Sequence, residues 1–340
     1  MVLSKKEQEK EVFLEELLNE KKEIDNSLAK TLIREDILSR IIEKNPLKKE
    51  LLIKKYLNNK TIKNTLAKIH QEVMDDYSKR QTFGPGTFSG LQGQLNCIIL
   101  TKRVIEEELK WSISEVIQKI NYKTLYKYKL RCTKTCFTHL HELIISSYPD
   151  ANLKPYYFKK ASNVWIDKNG QKNEVLIKEA IREFINVLTN PKGKYKYKFK
   201  ELPKWVNYKL FRMPLLPHNT NLSYLLNSCF GNSHIKAVMY TYPELNLKPY
   251  YFSNVPNKYW SGEDGLKHAK ELLVELMDIL TNPKGKYKLT KEEVVRIFKF
   301  KTYGKPILPY KKNLRGMLQI IFKNSPSAPF KLVLAEQNDE

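Results

Sequence analysis

The chain repeats part of itself, and this repetition constrains its fold more than any other feature. The string YPDANLKPYYF begins at Tyr148 and returns as YPELNLKPYYF at Tyr242. A second string, LTNPKGKYK, begins at Leu188 and returns unchanged at Leu280. The two shifts, 94 and 92 residues, are nearly equal, which indicates one duplicated module.

A shorter match indicates a third, divergent copy of this module. The tripeptide NYK occurs at Asn121 and again at Asn207. A period of this length exceeds the roughly 20 to 50 residues of solenoid repeats, so each copy is predicted to be a small helical domain. The predicted fold is mainly α. It comprises an N-terminal helical bundle at 1–80, a Gly/Pro linker at 81–94, and three tandem helix-turn-helix-like modules with short extended arms at 95–165, 166–262 and 263–340.

The charge of the chain favours a polyanionic partner. Sixty Lys and Arg residues stand against 37 Asp and Glu residues, which gives a formal net charge of +23. Residues 192–212 hold eight basic residues and one acid, and residues 123–134 hold five basic residues and no acid. A coat of lysines that serves solubility alone would not be clustered in this way. The pattern is typical of proteins that bind nucleic acid.

The sequence predicts a cytoplasmic, nucleoid-associated protein that does not enter a membrane. Its apolar runs are far shorter than the roughly 20 residues that span a bilayer. The first residues become charged at once, unlike a signal peptide. The four cysteines are expected to be reduced thiols.

The N-terminal region reads as a series of amphipathic helices. Helices are predicted over residues 47–57 and 61–77, the second capped by Thr61. The pair, joined across residues 58–60, is interpreted either as a helix-turn-helix or as part of a bundle that makes a homodimer. The junction lacks a glycine turn, which favours the bundle.

The alternation of Lys and Tyr after each Thr-Asn-Pro string predicts contacts with DNA phosphates. Lysines neutralise phosphates, and tyrosines contact sugars or stack. The alternative is an edge strand with one solvated Lys face. The predicted phosphate-contacting residues are Lys192, Lys194, Tyr195, Lys196, Lys198, Lys284, Lys286, Tyr287, Lys288, Lys123 and Lys127.

A tight corner between two short apolar helices predicts a recognition helix. The corner is formed by Gly231, Asn232 and Ser233, and it recurs at Asn324 and Ser325. Asn contacts adenine, and Ser and Lys reach phosphates or base edges. The alternative is that Asn and Ser only cap the helix. The candidate base-reading residues are Asn232, Ser233, His234, Lys236, Tyr240, Asn324 and Ser325.

The residues Cys132, Cys136, His139 and His141 form a weak candidate zinc set. Ligands so close in sequence would crowd a tetrahedral site, so no metal and no cofactor are expected. Because the sequence has no His-Glu-x-x-His, no Gly-x-Ser-x-Gly and no paired acidic motif suited to magnesium, it does not predict an enzyme.

The repeat resembles two known kinds of domain. The pattern NLxxxLxxxFxNS, followed by YPELNLKPYYF and by YWxGEDG from Tyr259, resembles a tandem-repeat domain of Bacillus and their phages. It is also similar to the DNA-binding repeats attached to some homing endonucleases. The resemblance covers about residues 95–336, and it implies a DNA-binding role without a nuclease domain. The first copy lacks the Asn-Ser corner.

These observations together predict a double-stranded DNA-binding protein, a sequence-specific transcriptional regulator of a phage or mobile element. The alternative is a protein-interaction or inhibitor scaffold whose aromatic arms bind an acidic host protein.

Overall fold

The protein is mainly α-helical, as predicted. The computed structural model describes residues 53–75, 82–84, 86–158, 164–167, 169–255, 258–297, 304–311, 314–325 and 328–329. The helices predicted before residue 53 lie outside the described residues, and the homodimer stays a prediction. Two compact units make up the chain, Met1–Lys159 and Lys160–Glu340.

The first unit contains seven labelled helices. They are α1 (53–58), α2 (Lys60–Met74), α3 (Gly90–Arg103), α4 (Ile113–Lys119), α5 (Tyr122–Lys127), α6 (Thr133–Cys136) and α7 (Leu140–Ser147). A π-helical stretch, Val104–Leu109, continues α3, and two 3-10 turns, Pro149–Ala151 and Pro155–Tyr157, follow α7.

The second unit contains eight labelled helices. They are α8 (Glu174–Thr189), α9 (Leu202–Trp205), α10 (Tyr208–Arg212), α11 (Ser223–Phe230), α12 (His234–Thr241), α13 (Gly262–Thr281), α14 (Lys291–Ile297) and α15 (Arg315–Ile321). Among the described residues, five complete 3-10 turns lie between these helices: Phe199–Glu201, Pro217–Asn219, Pro243–Leu245, Pro249–Tyr251 and Pro309–Lys311.

Helix α3 is the centre of the first unit. It packs against α2, α6 and α7, and the side chains of Cys97 and Leu100 on it are completely buried. One polar chain crosses this core: the hydroxyl of Tyr56 donates to Asn96 Oδ1 at 2.8 Å, and Asn96 Nδ2 donates to the carbonyl of Thr87 at 2.7 Å. The side-chain oxygen and nitrogen of Asn96 therefore both have hydrogen-bond partners, so burial of this amide leaves no polar atom unpaired.

Two long amphipathic helices organise the second unit. Helix α8 buries an apolar stripe against α12, and α12 packs in turn against α11. Helix α13 buries its own stripe against α14 and α15. The predicted turn between α11 and α12 is present, with Gly231 and Asn232 both left-handed and Ser233 capping α12.

The aromatic segment after α12 is a buried 3-10 turn and not an extended arm. Tyr250, Tyr251 and Phe252 are 1%, 7% and 0% exposed. Glu275 on α13 accepts hydrogen bonds from the hydroxyls of Tyr250, at 2.5 Å, and Tyr251, and pairs with Lys248 at 2.9 Å. Burial acts to raise the pKa of Glu275, but these three donors outweigh it and keep that pKa below its usual value.

The helix-turn-helix alternative, one predicted cap and one predicted boundary differ from the structure. Helices α1 and α2 are separated by Asn59 alone, too short a break for a helix-turn-helix. The side chain of Asn59, and not Thr61, caps α2 by accepting from the amide of Ile62 at 3.2 Å. The predicted linker 81–94 runs into α3, which begins at Gly90.

The alternating Lys and Tyr residues do not form a strand. Among the described residues the chain has no β-strand, only two isolated bridges, Ile166 with Lys172 and Leu216 with Thr220. In the same part of the chain, no helix is long and apolar enough to cross a membrane.

Candidate nucleic-acid interface

The best-defined candidate site is a basic turn that follows α8, which we call the central Lys-Tyr turn (residues 190–198). Asn190 closes it: its Oδ1 accepts from the amide of Lys192 at 2.9 Å, and its carbonyl accepts from the amide of Gly193 at 2.9 Å. The chain then reverses at Lys196, which is left-handed with φ 54°. The amide of Tyr197 donates back to the carbonyl of Leu188 in α8 at 3.0 Å.

The same backbone occurs after α13, in what we call the C-terminal Lys-Tyr turn (residues 282–290). Asn282 accepts from the amides of Lys284 and Gly285, each at 2.9 Å. Lys288 is left-handed with φ 53°, and the amide of Leu289 donates to the final turn of α13 at 3.0 Å. Each bond has its equivalent in the central turn, so the identical strings fold identically.

Glycine is needed in both turns because the backbone closes tightly. A Cβ atom added at Gly193 or Gly285 would lie 3.1 Å from the carbonyl oxygen of Asn190 or Asn282 respectively. That is closer than most real Cβ contacts, so a side chain there would require its neighbours to shift by a few tenths of an ångström.

The lysines of both turns project into solvent. The exposed ones are Lys192, Lys194, Lys196, Lys198, Lys284, Lys286 and Lys288. Within the described ranges, none of them has a carboxylate within 4.0 Å. Tyr195 and Tyr287 are half-buried, and the ammonium groups of Lys194 and Lys286 lie 5.7 and 5.5 Å from their ring centroids.

The central turn carries an additional row of aromatic rings, which we call the aromatic ladder. The rings of Tyr195 and Tyr197 stack at 6.0 Å and 26°, and those of Tyr197 and Trp205 stack at 4.8 Å and 13°. The indole N–H of Trp205 donates to the carbonyl of Lys198 at 3.1 Å, which fixes the last ring. Trp205 lies outside the Lys-Tyr string, so the string alone did not indicate it.

A related turn in the first unit was also missed. Lys110 is left-handed with φ 53°, and the amide of Trp111 donates to the carbonyl of Ile105 at 3.2 Å. The ammonium of Lys119 lies 5.7 Å from the Trp111 ring centroid. Trp111 and Lys119 stand 86 residues before Tyr197 and Trp205. Asn121 and Asn207 have the same offset, which is the signal that could have revealed both.

The other predicted phosphate contacts lie on α5. Lys123 and Lys127 are exposed and one helical turn apart. The rings of Tyr122 and Tyr126 lie beside each other on this helix, with centroids 6.0 Å apart. The guanidinium of Arg131 is 5.8 Å from the Tyr126 ring, so basic and aromatic groups alternate here as well.

The corner before α12 is built as predicted, but its helix is largely buried. Ser233 Oγ accepts from the amide of Lys236 at 3.2 Å, and Asn232, left-handed with φ 64°, donates to Asn227 Oδ1 at 3.2 Å. Asn232 is exposed. Within α12, Lys236 is the one fully exposed side chain, since α8 and α11 cover the other faces.

His234, a candidate base-reading residue, does not lie on the outer face of α12. Its side chain is buried, and its ring meets that of Phe252 edge-on at 6.2 Å. Burial lowers the pKa of His234. Tyr240 is half-buried, its ring packed against Phe230 at 5.5 Å, with the ammonium of Lys178 at 5.2 Å. Neither residue can reach a base edge without rearrangement.

The corner recurs before residue 326 with the same backbone. Lys323 and Asn324 are left-handed, and the amide of Asn324 donates to Leu318, as that of Asn232 does to Leu226. Asn324 is exposed and Ser325 half-buried. The helix expected to follow lies largely outside the described residues.

The four residues of the weak candidate zinc set are not brought together as metal ligands. Cys132 lies near Cys97, with 3.9 Å between the sulfur atoms, and Cys136 is half-buried. The rings of His139 and His141 stack on each other at 5.2 Å and 9°. In the described part of the chain, no group of three His, Cys, Asp or Glu residues could hold a metal ion. The neighbouring thiol of Cys132, together with burial, raises the pKa of Cys97.

Comparison with known proteins gives one partial match. The model of a family described as "Protein of unknown function (DUF4046)" matches residues 66–153, which include α3 to α7 and neither Lys-Tyr turn. No curated protein and no solved structure is significantly similar to the chain.

Proposed function

We propose that the chain binds double-stranded DNA, chiefly by contacting phosphates with the lysines of its recurrent basic turns. The observation that carries this proposal is the shared backbone of the two Lys-Tyr turns. Both hold their lysines outward on the same hydrogen-bonded frame, although the residues around them differ. None of these lysines forms an ion pair among the described residues, so binding of phosphate breaks no ion pair there.

The charge of the whole chain supports the same partner. A net charge of +23 attracts a polyanion over a long range, and clustered lysines then neutralise individual phosphates. Phosphate contacts provide affinity and position the protein, but they carry no sequence information. Lys123 and Lys127 on α5 are proposed to add such contacts from the first unit.

We place any reading of base sequence at Asn232 and Lys236, with Asn324 as the counterpart in the third predicted module. These side chains are exposed at or beside a helix start. His234 and Tyr240 are left out because the fold covers them. Regulation of transcription by a phage or mobile-element protein follows from the resemblance of the repeats alone and stays a prediction.

The alternative function, a scaffold that binds an acidic host protein, requires aromatic arms on the surface. Tyr250, Tyr251 and Phe252 are instead buried, and Glu275 holds both tyrosine hydroxyls. A partner could reach these rings only after the second unit opened locally. Binding of DNA through the exposed turns needs no such opening, so we favour it.

A triple substitution tests the proposal. Lys192, Lys194 and Lys196 are changed together to Gln, and binding to a random-sequence duplex is measured by fluorescence anisotropy at several salt concentrations. If each lysine contacts one phosphate, the slope of log affinity against log salt becomes shallower by about 0.9 per lost contact. Affinity falls for all duplexes alike, because phosphates carry no sequence.

The matched control removes the same charge elsewhere. Lys60, Lys63 and Lys68 are exposed on α2, and their triple change to Gln should leave the slope near that of the unaltered protein. Equal changes in slope from the two triple variants would mean that diffuse charge, and not the turn, binds DNA. An unaltered slope in both variants would remove the turn from the interface.

A further inference from the structure

The aromatic ladder is not required to build the turn that carries it. The C-terminal Lys-Tyr turn has the same backbone bonds, yet Leu289 stands where the central turn has Tyr197. The position equivalent to Trp205, one repeat later, is Ile297. The ladder is therefore an addition to a frame that folds without it.

The geometry of the ladder suits a planar ligand. Three rings stack in a row and are nearly parallel. Their spatial order is Trp205, Tyr197 and Tyr195. Tyr195 is the end of the row, and the ammonium of Lys194 lies 5.7 Å from its centroid. A flexible lysine side chain can swing away or pair with a phosphate, which would let a fourth planar group stack on Tyr195.

The exposed lysines beside the ladder define the chemical class of that planar group. Lys194, Lys196 and Lys198 are all exposed around the half-buried rings, so the ligand should join a flat ring to negative charge. Bases inside a duplex already have both faces stacked on neighbours. An unpaired nucleotide has a free face and a phosphate on each side, and aromatic platforms flanked by cations bind such nucleotides.

We propose that Tyr195, Tyr197 and Trp205 form a stacking platform for an unpaired base of single-stranded DNA next to a duplex. The proposal rests on the proposed DNA-binding function and deepens it. The central Lys-Tyr turn would hold the end or gap of a duplex, whereas the C-terminal turn, which has no ladder, would contact phosphates only. The preferred DNA is then a duplex with a single-stranded extension.

The test compares two probes on the full chain. One is a blunt duplex of about 20 base pairs, and the other is the same duplex with an extension of about eight thymidines. Dissociation constants are measured by anisotropy at one salt concentration. Stacking of one base is expected to make the extended probe bind at least about fivefold more tightly than the blunt one.

Two substitutions at equivalent positions assign that gain to the ladder. Tyr195→Leu should lower the ratio of the two affinities to near one. Tyr287→Leu changes the turn without a ladder. It can alter the affinity for both probes equally, but the ratio of the two affinities should stay that of the unaltered protein. Tyr195→Phe retains the ring and should retain the ratio. Thermal melting of each variant shows that it is folded.

Photochemical cross-linking gives a second readout of position. With 5-bromouracil in place of the thymidines in the extension, irradiation should attach DNA to the peptide that contains Tyr195 and Tyr197. Equal attachment at Tyr287, or an affinity ratio that Tyr195→Leu does not change, would overturn the platform. If the protein binds the blunt duplex and the extension does not increase its affinity, the platform proposal is wrong and the duplex-binding proposal stands. If the extension binds and the blunt duplex does not, the platform stands and the duplex-binding proposal is wrong.

Discussion

His70 is a buried histidine whose two ring nitrogens have different roles. It lies on α2, and its Nε2–H donates to the carbonyl of Tyr128 at 2.9 Å. Its Nδ1 accepts from the guanidinium of Arg103 at 2.8 Å. This arrangement requires the neutral ring. Burial lowers the pKa of His70 and nearby Arg103 adds to this, while the Tyr128 carbonyl and Glu108 oppose it.

The lowered pKa predicts an acid-sensitive first unit. Because the folded state binds the proton less readily than the unfolded state, the stability from neutral His70 is complete above about pH 6.5 and is lost as pH falls through the folded-state pKa. The loss approaches at most about 1.4 kcal/mol per pH unit. Thermal unfolding between about pH 5 and pH 8 measures it. His70→Gln, which can keep both hydrogen bonds, should flatten this dependence, and a variant as acid-sensitive as the original protein would contradict the assignment.

At the residue scale, the sequence predicted the exposure of the lysines correctly and that of His234 wrongly. The lysines of both Lys-Tyr turns are exposed, as their alternation with tyrosine indicated. His234 was placed wrongly because α12 has eight residues and is covered by α8, α11 and Phe252 on different sides. Two helical turns give too little periodicity to show that a helix is buried on more than one face.

At the element scale, helices α3 and α13 start from one shared motif. Each begins at a left-handed glycine, Gly90 or Gly262, that follows an aromatic residue and a serine. Three residues later, Gly93 or Gly265 lies against the backbone of the aromatic residue. The glycines of the predicted linker therefore include a helix start. The rule that glycine breaks helices cannot distinguish a glycine in a linker from a glycine that starts a helix.

The close approach at Gly265 predicts a large cost for a single methyl group. A Cβ atom there would lie 2.3 Å from the carbonyl carbon of Trp260, so Gly265→Ala should lower the free energy of unfolding by about 1 to 3 kcal/mol. Gly316 on α15 is the matched control, since a Cβ there has nothing within 4 Å. Gly316→Ala should be neutral or stabilise by up to about 1 kcal/mol. Chemical denaturation measures both, and equal effects would refute the steric explanation.

At the scale of the whole molecule, repetition in the sequence predicted repeated backbone geometry. Left-handed Lys196 and Lys288, or Asn152 and Asn246, occupy equivalent positions. Repetition in the sequence did not predict the number of compact units. The second and third predicted modules lie in one compact unit, which begins at Lys160. The contact of Glu275 with Tyr250 crosses the predicted boundary. Tyr250 belongs to a repeated string, but Glu275 lies outside both strings.

The net charge predicts strongly salt-dependent binding of the complete chain to duplex DNA. If the basic turns and α5 together contact about 6 to 10 phosphates, affinity should fall by about 10³ to 10⁵ between roughly 50 and 200 mM salt. Titration of labelled duplex at several salt concentrations measures this, with thermal melting at each concentration to show that the protein stays folded. Affinity that does not respond to salt would exclude a phosphate-based interface.

Glu275 affects more than the stability of the second unit. Its carboxylate holds the segment that leaves α12, and it belongs to the helix that leads into the C-terminal Lys-Tyr turn. Helix α12 packs in turn against α8, which leads into the central Lys-Tyr turn. Both turns therefore belong to one compact unit, and under the proposed function they act as a bivalent ligand. When one turn releases its phosphates, the other turn still holds the protein on the duplex. The released turn is then at a high local concentration near the DNA, so it can rebind before the protein dissociates. Residence time on DNA then exceeds that of either turn alone, with no contact added at the interface.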